Sequence, residues 1–204
     1  IAHRVVHGGT KFVSSCVINS DVETEIDRLS SLAPLHNPHA LKWIRACRAT
    51  FGEHVPQAAV FDTAFYSSLP EAAATYALPK DLCTEYGIRR YGFHGLAHCA
   101  MWKRWKELHP KMKDGGKVIS LQLGAGCSIT AVHDGKVQDT SMGFSPLEGL
   151  VMATRSGDID PHIIFHLVRL SGLPMDDIEK MLNHSSGLLG ISGISSDMKT
   201  LLES

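Results

Sequence analysis

The sequence predicts a mixed α/β protein, and three observations carry that expectation. Short apolar runs of strand type, Ala2–Val6 and Ala58–Phe61, alternate with longer segments whose apolar residues recur at helical spacing. Three consecutive strand-like segments, Val118–Leu123, Cys127–His133 and Lys136–Thr140, follow one another as a meander. Helical patterns then resume. The order is strand, helices, strand, helices, meander, helices, with a boundary between two units expected between Asp62 and Lys117.

Each element has a local cause. The first strand runs into Gly8-Gly9. Ser20-Asp21-Val22-Glu23 reads as a capping box, in which serine and glutamate satisfy free N–H groups, and predicts a helix over Val22–Leu32. Asn37-Pro38 predicts a second helix, with asparagine as cap and proline in the first turn, where its missing N–H costs little. Leu41, Ile44 and Phe51 continue it, and Gly52 ends it. Pro70–Tyr76 is alanine-rich and predicted helical, with Pro79 as its stop. Arg89–His94 is loop or short strand, and Gly95–Leu108 is a helix whose basic face carries Lys103, Arg104 and Lys106. Asp134-Gly135 joins the last two strands, since a two-residue hairpin turn needs positive φ at both positions. Helices are expected near Ile163–Leu170 and Asp176–Leu182, and another from Asp197.

Composition narrows the function. The 204 residues are 44% hydrophobic, enough for a real core, and the net charge is -1 with no basic stripe, which argues against a nucleic-acid partner. No apolar run approaches the roughly 18 residues of a membrane span, and no signal peptide is visible. The five cysteines are scattered without a CxxC pair, so reduced thiols and a cytoplasmic location are expected. The chain opens on Ile1 and stops inside a helical pattern at Ser204, and it reads as a piece of a longer protein.

His94 and His98 lie four apart with Cys99 adjacent, but no third metal ligand is evident, and no GxSxG elbow is present. Phosphate chemistry finds better support. It needs backbone N–H donors, cationic side chains and a carboxylate for magnesium. Gly124-Ala125-Gly126 forms a glycine turn of the type that holds phosphate, yet the segment after it alternates like a strand rather than continuing as a helix. Arg4 and Asp62 sit at strand ends, and Arg155 precedes the break at Gly157.

In combination these segments resemble the acetate kinase family. "HRVVHGG", "LAPLHNP", "FDTAF", "YGFHGLAH", "SMGFSPLEGLVMATRSGDIDP" and "SGLLGISGISSDM" occur in family order across essentially the whole chain. The resemblance implies the fold shared by sugar kinases, heat-shock ATPases and actin. In that fold two related α/β domains enclose a nucleotide cleft, here incomplete at both ends, with residues 1–68 belonging to the first domain and 69–204 to the second. It also implies that a β-hairpin turn cradles the phosphates, "LQLGAGCSITAV" matching the family's second phosphate loop.

Arg4 and Arg155 would flank the substrate carboxylate and the phosphoryl group, and His94 would hydrogen-bond the latter. His36 would line the cleft. Asp62 would position Mg2+ (or Mn2+) through a metal-bound water. Val6, Leu35, Phe93 and Pro146 would hold the acyl methyl group, with His36 beside them. Gln122, Leu123, Gly124, Ala125, Gly126, Asp197 and Lys199 would serve ATP. The implied reaction moves a phosphoryl group between ATP and acetate, or propionate or butyrate, in a homodimer; a binding protein of the same fold that has lost catalysis is the alternative. The family's first phosphate loop would precede Ile1 and its adenosine segment and a metal-binding glutamate would follow Ser204, so the 204 residues alone are expected to be inactive.

Four positions depart from the family pattern. Gln122 and Ala125 stand where histidine and asparagine are usual, Lys199 where arginine is usual, and Tyr66 where histidine is common; little is expected from Tyr66.

Overall fold

In the computed structural model, which describes residues 1–204, two three-stranded sheets flank the future site. The first has the order β1-β3-β2: β1 (Ala2–Val5) pairs parallel to β3 (Ala58–Phe61), and β2 (Cys16–Val17) is antiparallel to β3. The second is the antiparallel meander β4 (Lys117–Leu123), β5 (Cys127–His133) and β6 (Lys136–Thr140). The mixed α/β expectation is met, and the Asp134-Gly135 turn has φ of 48° and 78° as a hairpin of this length requires.

Two helices cover the first sheet, α1 (Ser20–Arg28) and α2 (Asn37–Phe51). Val5, Ile26, Leu41, Ile44 and Phe61 pack into one fully buried cluster, with Phe12 stacked on Phe61. The two-residue period of a strand does the sorting. His3 and Val5 face this interior, so Arg4 faces away from it. A buried Val or Phe contributes about 1.5–3 kcal/mol over an exposed one, and that burial fixes which way Arg4 looks.

Several helix ends differ from expectation. Asn19, not Ser20, caps α1, its side chain accepting from Val22 N at 2.9 Å. Glu23 is then one residue too far along for a capping box and pairs with Arg48 and Arg45 instead. His36 occupies the cap position of α2, and Asn37 turns inward. Its amide donates to His7 O and accepts from His7 N, at 3.0 and 3.1 Å, continuing the backbone pairing where β1 has ended. The alanine-rich segment makes only α3 (Glu71–Ala74). Pro79 stops nothing; it opens α4 (Lys80–Tyr86), a proline at a helix start being free of the lost N–H penalty.

α5 (Gly95–Leu108) packs between β4 and the 3-10 turn Asp62–Tyr66. After β6 come α6 (His162–Ser171), α7 (Met175–His184), α8 (Gly187–Ser192) and α9 (Met198–Glu203). β2, α4 and α8 are not anticipated by sequence; the first is two residues long, and the helices are too short to show a period. No helix is long and apolar enough to cross a membrane.

Candidate active site

Arg4 leaves β1 beside the end of β3, because the parallel register puts Arg4 opposite Val60, two residues before Asp62. Asp62 is 1% exposed and the Arg4 side chain 57%. The guanidinium engages both carboxylate oxygens, Nη2 to Oδ2 at 2.6 Å and Nε to Oδ1 and Oδ2 at 3.2 and 3.1 Å. Hydrogen bonding to Asp62 raises the Arg4 pKa, against the opposing effect of burial. The cation is therefore clamped at its base while its outer face remains open to the cleft.

His94 is carried to the same place by a close approach of backbones. It adopts a left-handed conformation, φ 58°, and Gly95 then starts α5 against the Asp62 peptide. A Cβ on Gly95 would stand 1.8 Å from Asp62 O, a distance no side chain tolerates. Tyr66, of which sequence reasoning expects little, braces this turn: it is buried, donates to Phe93 O, and meets Thr130 Oγ1 at 3.1 Å. Burial pushes its hydroxyl up to about 12, so it stays protonated as a donor.

Arg155 arrives from the opposite wall. Its loop is tied to the glycine turn by Ala153 N donating to Ala125 O at 2.9 Å, and to α8 by Leu188 N donating to Met152 O at 2.8 Å. The guanidinium donates to Pro146 O at 3.3 Å and has no carboxylate partner. Burial lowers its pKa. Gly126 lies against both this arginine and His94: a Cβ there would be 3.3 Å from Arg155 Nη1 and 3.5 Å from His94 Nε2.

The groups share one field. Burial lowers the His94 pKa; Asp62 opposes the shift, and Arg4, Arg155 and His36 add to it. Burial likewise lowers that of His36, reinforced by Arg155 and Arg4. Thus Arg4, Asp62, His94, Arg155 and His36 converge beside the Gly124–Gly126 turn. Two cations over one internally neutralised carboxylate leave a net positive cleft, suited to an anion with several oxygens.

Leu35, His36, Pro146 and Arg155 line a cavity of about 100 Å3. Val6 and Phe93 do not line it; they are buried with Tyr91, Met142 and Met152 in a cluster behind. Leu123, Gly124, Ala125 and Asp197 line a larger, mostly apolar cavity of about 740 Å3. Asp197 caps α9 through Thr200 N, and Lys199 is exposed beside Glu203, outside that lining. Gln122 is the penultimate residue of β4, opposite Ser128.

His94 and His98 do not chelate, since both ring nitrogens of His98 are engaged by serines. No three His, Cys, Asp or Glu side chains converge on a metal position. With the Asp62 oxygens held by Arg4, the donor set fits a cation carried mainly by water and ligand oxygens, as is usual for Mg2+, rather than a protein cage. The serines Ser120 and Ser128 are the residues sequence reasoning missed. For Ser128 the signal was the β5 alternation, which places it and Thr130 on the same buried face as Val132; Ser120, on β4, carried none.

Fold and charge arrangement together define an α/β protein with a net positive cleft where two walls of different origin meet. The chain belongs to the acetokinase family, whose model matches residues 1–204. It is 50% identical over 203 residues to an acetate kinase of Chloroherpeton thalassium, covering 100% of this chain and 49% of that protein. Among solved structures it resembles a propionate kinase from Francisella tularensis, with TM-score 0.94 and 46% identity over 99% of this chain and 52% of the other. It also resembles the acetate kinase of Porphyromonas gingivalis, with TM-score 0.92 and 42% identity over 99% and 50%. The chain spans about half the length of the curated relatives it matches.

Proposed function

We propose that the full gene product is an acetate kinase, transferring the γ-phosphoryl group of ATP to acetate and reversibly giving acetyl phosphate and ADP. The observation that supports this reading most is the convergence of two guanidinium groups and His94 beside a glycine turn, with one of the arginines unpaired.

The acetate carboxylate is already a nucleophile, so no general base is required. One of its oxygens forms a bond to the γ-phosphorus as the bond from phosphorus to the ADP oxygen breaks. Arg4 and Arg155 hold the carboxylate and the phosphoryl oxygens in line. His94 hydrogen-bonds the group in flight, and the Gly124–Gly126 turn presents backbone N–H groups to the nucleotide phosphates. Such preorganised donors stabilise charge where it develops. Asp62 is the residue that would help hold Mg2+ or Mn2+ through a bound water, and the cation would supply charge neutralisation on the phosphates. Leu35 and Pro146 receive the acyl chain, backed by Val6 and Phe93, while His36 lines the cleft. Asp197 and Lys199 serve the nucleoside end, and Gln122 and Ala125 make this loop poorer in side-chain donors than the family pattern. The domain division at residue 68, a homodimeric state and a cytoplasmic location belong to the same reading, as does the inactivity of residues 1–204 alone.

The similarity to a propionate kinase favours a second reading, preference for a longer acid. One methylene shifts preference by only about 1–3 kcal/mol. A hydroxamate assay of the full gene product with ATP and acetate, propionate or butyrate separates the two. Highest kcat/KM with acetate is expected; a higher value with propionate transfers the assignment, and no acyl phosphate from any of the three refutes it.

A further inference from the structure

A buried hydrogen-bond chain runs behind the cleft. His94 Nδ1 lies 2.9 Å from Ser128 Oγ, Ser128 Oγ lies 2.8 Å from His98 Nε2, and His98 Nδ1 lies 2.6 Å from Ser120 Oγ. His98, Ser120 and Ser128 are all buried. His94 Nε2 is the ring nitrogen left facing Gly126 and Arg155.

Both histidines are neutral at pH 7: burial lowers both pKa values, that of His98 to about 4. A neutral imidazole carries one N–H, and its location is set by the bond made at the other nitrogen. Three polarities are conceivable, and the one in which His98 Nε2–H and His94 Nδ1–H both donate to Ser128 leaves the Ser128 hydroxyl proton buried without an acceptor. Two others remain. In one, His98 Nδ1 donates to Ser120, Ser128 donates to His98, and His94 donates through Nδ1. That polarity leaves the Ser120 hydroxyl proton buried without an acceptor, because Ser120 Oγ has no other partner. It also leaves His94 Nε2 as a bare lone pair. In the other, Ser120 donates to His98 Nδ1, His98 Nε2–H donates to Ser128, and Ser128 donates to His94 Nδ1. Every proton along the chain then has an acceptor, and the remaining one sits on His94 Nε2. An unmet buried donor costs about 1–3 kcal/mol, so this last polarity prevails.

We infer that Ser120, His98 and Ser128 are positioning residues that lock His94 as the Nε2–H tautomer, so that it donates a hydrogen bond into the anion cleft without being charged. The purpose assigned to that donor rests on the phosphoryl-transfer reading; the tautomer itself does not. The arrangement has a chemical advantage. A neutral donor keeps its proton whatever the occupancy of the cleft, and adds no third cation beside Arg4 and Arg155.

The test is 15N NMR of histidine-labelled full gene product, with the His94→Gln and His98→Asn variants identifying each signal by its disappearance. Both rings are expected as Nε2–H in the unsubstituted protein. Ser128→Ala should release the His94 tautomer and lower kcat on the order of 10- to 100-fold, the scale of losing an outer partner that orients a functional histidine. KM for acetate and ATP should stay within about threefold, as for an interaction made in the transition state. Ser120→Ala, one link further away, should shift the tautomer balance in the same direction with a smaller loss, and covers the case in which Ser128→Ala fails to fold. Ser128→Thr should restore both the tautomer and most of kcat. A His94 signal with the proton on Nδ1, or Ser128→Ala with unchanged tautomer and kcat, overturns the inference. An Nε2–H signal in a protein that makes no acyl phosphate would instead support the relay and refute the kinase assignment.

Discussion

The two arginines of the cleft have the same side chain and opposite circumstances. Arg4 stands on a β-strand, gripped by a buried carboxylate, and its pKa is raised by that grip. Arg155 stands on a loop, touches a carbonyl oxygen of Pro146, and its pKa is lowered by burial. The first wall spends its charge on holding a geometry. The second keeps its charge for whatever anion enters. A partly buried cation without a counter-ion is costly, so Arg155 is the group whose charge an anion would offset.

That contrast can be broken from either side, and the largest effect should come from the unpaired wall. Arg155→Ala is expected to lower turnover on the order of 10³-fold or more, the scale of an arginine acting on a phosphoryl transition state. Steady-state kinetics of the full gene product check it; turnover within about tenfold of the unsubstituted enzyme would remove Arg155 from the reaction. The paired wall should respond less. Asp62→Asn keeps the buried shape and removes the clamp, leaving Arg4 mobile. A loss on the order of 10²-fold in kcat/KM is expected, the scale of losing one preorganised donor at the reacting group. A variant with unchanged kinetics would show that Arg4 needs no clamp.

The smallest effect concerns stability rather than turnover. His7 and His98 are held neutral by burial, each at about 4 against the ordinary value of 6.5. Between those values the unfolded chain takes up protons that the folded one refuses, so stability is full above 6.5 and is lost as pH falls toward 4. His7 alone should cost on the order of 2 kcal/mol between pH 7 and pH 5. The urea midpoint should fall accordingly, and a midpoint that stays level across this window would contradict the burial of these rings.

The paired wall was also the more legible one. Arg4 and Asp62 follow from two short strand-like runs, and the hairpin at Asp134-Gly135 follows from the conformational demands of a two-residue turn. Asn37 was not legible as a buried brace, because asparagine before proline at a helix start looks the same whether it caps its own helix or reaches across to His7. Ser120 and Ser128 were hidden for a related reason. A serine in a strand carries no sign of its partner until the sheet and α5 bring His98 over it. The resemblance placed Val6 and Phe93 with Leu35 and Pro146, whereas the fold sets the first two in the cluster behind the cavity that the others line. Short-range chemistry was readable from the chain; long-range polar partnerships appeared only with the tertiary structure.

On the proposed function, Arg4 and Arg155 act on one shared anion although they come from different walls. A double-mutant cycle tests it most directly, comparing kcat/KM of Arg4→Ala, Arg155→Ala and the double variant in the full gene product. Groups acting as a unit are grossly non-additive, so the double variant is predicted to lose little beyond the worse single one. Losses that multiply fully would mean that the two guanidinium groups serve separate sites, and would contradict the account.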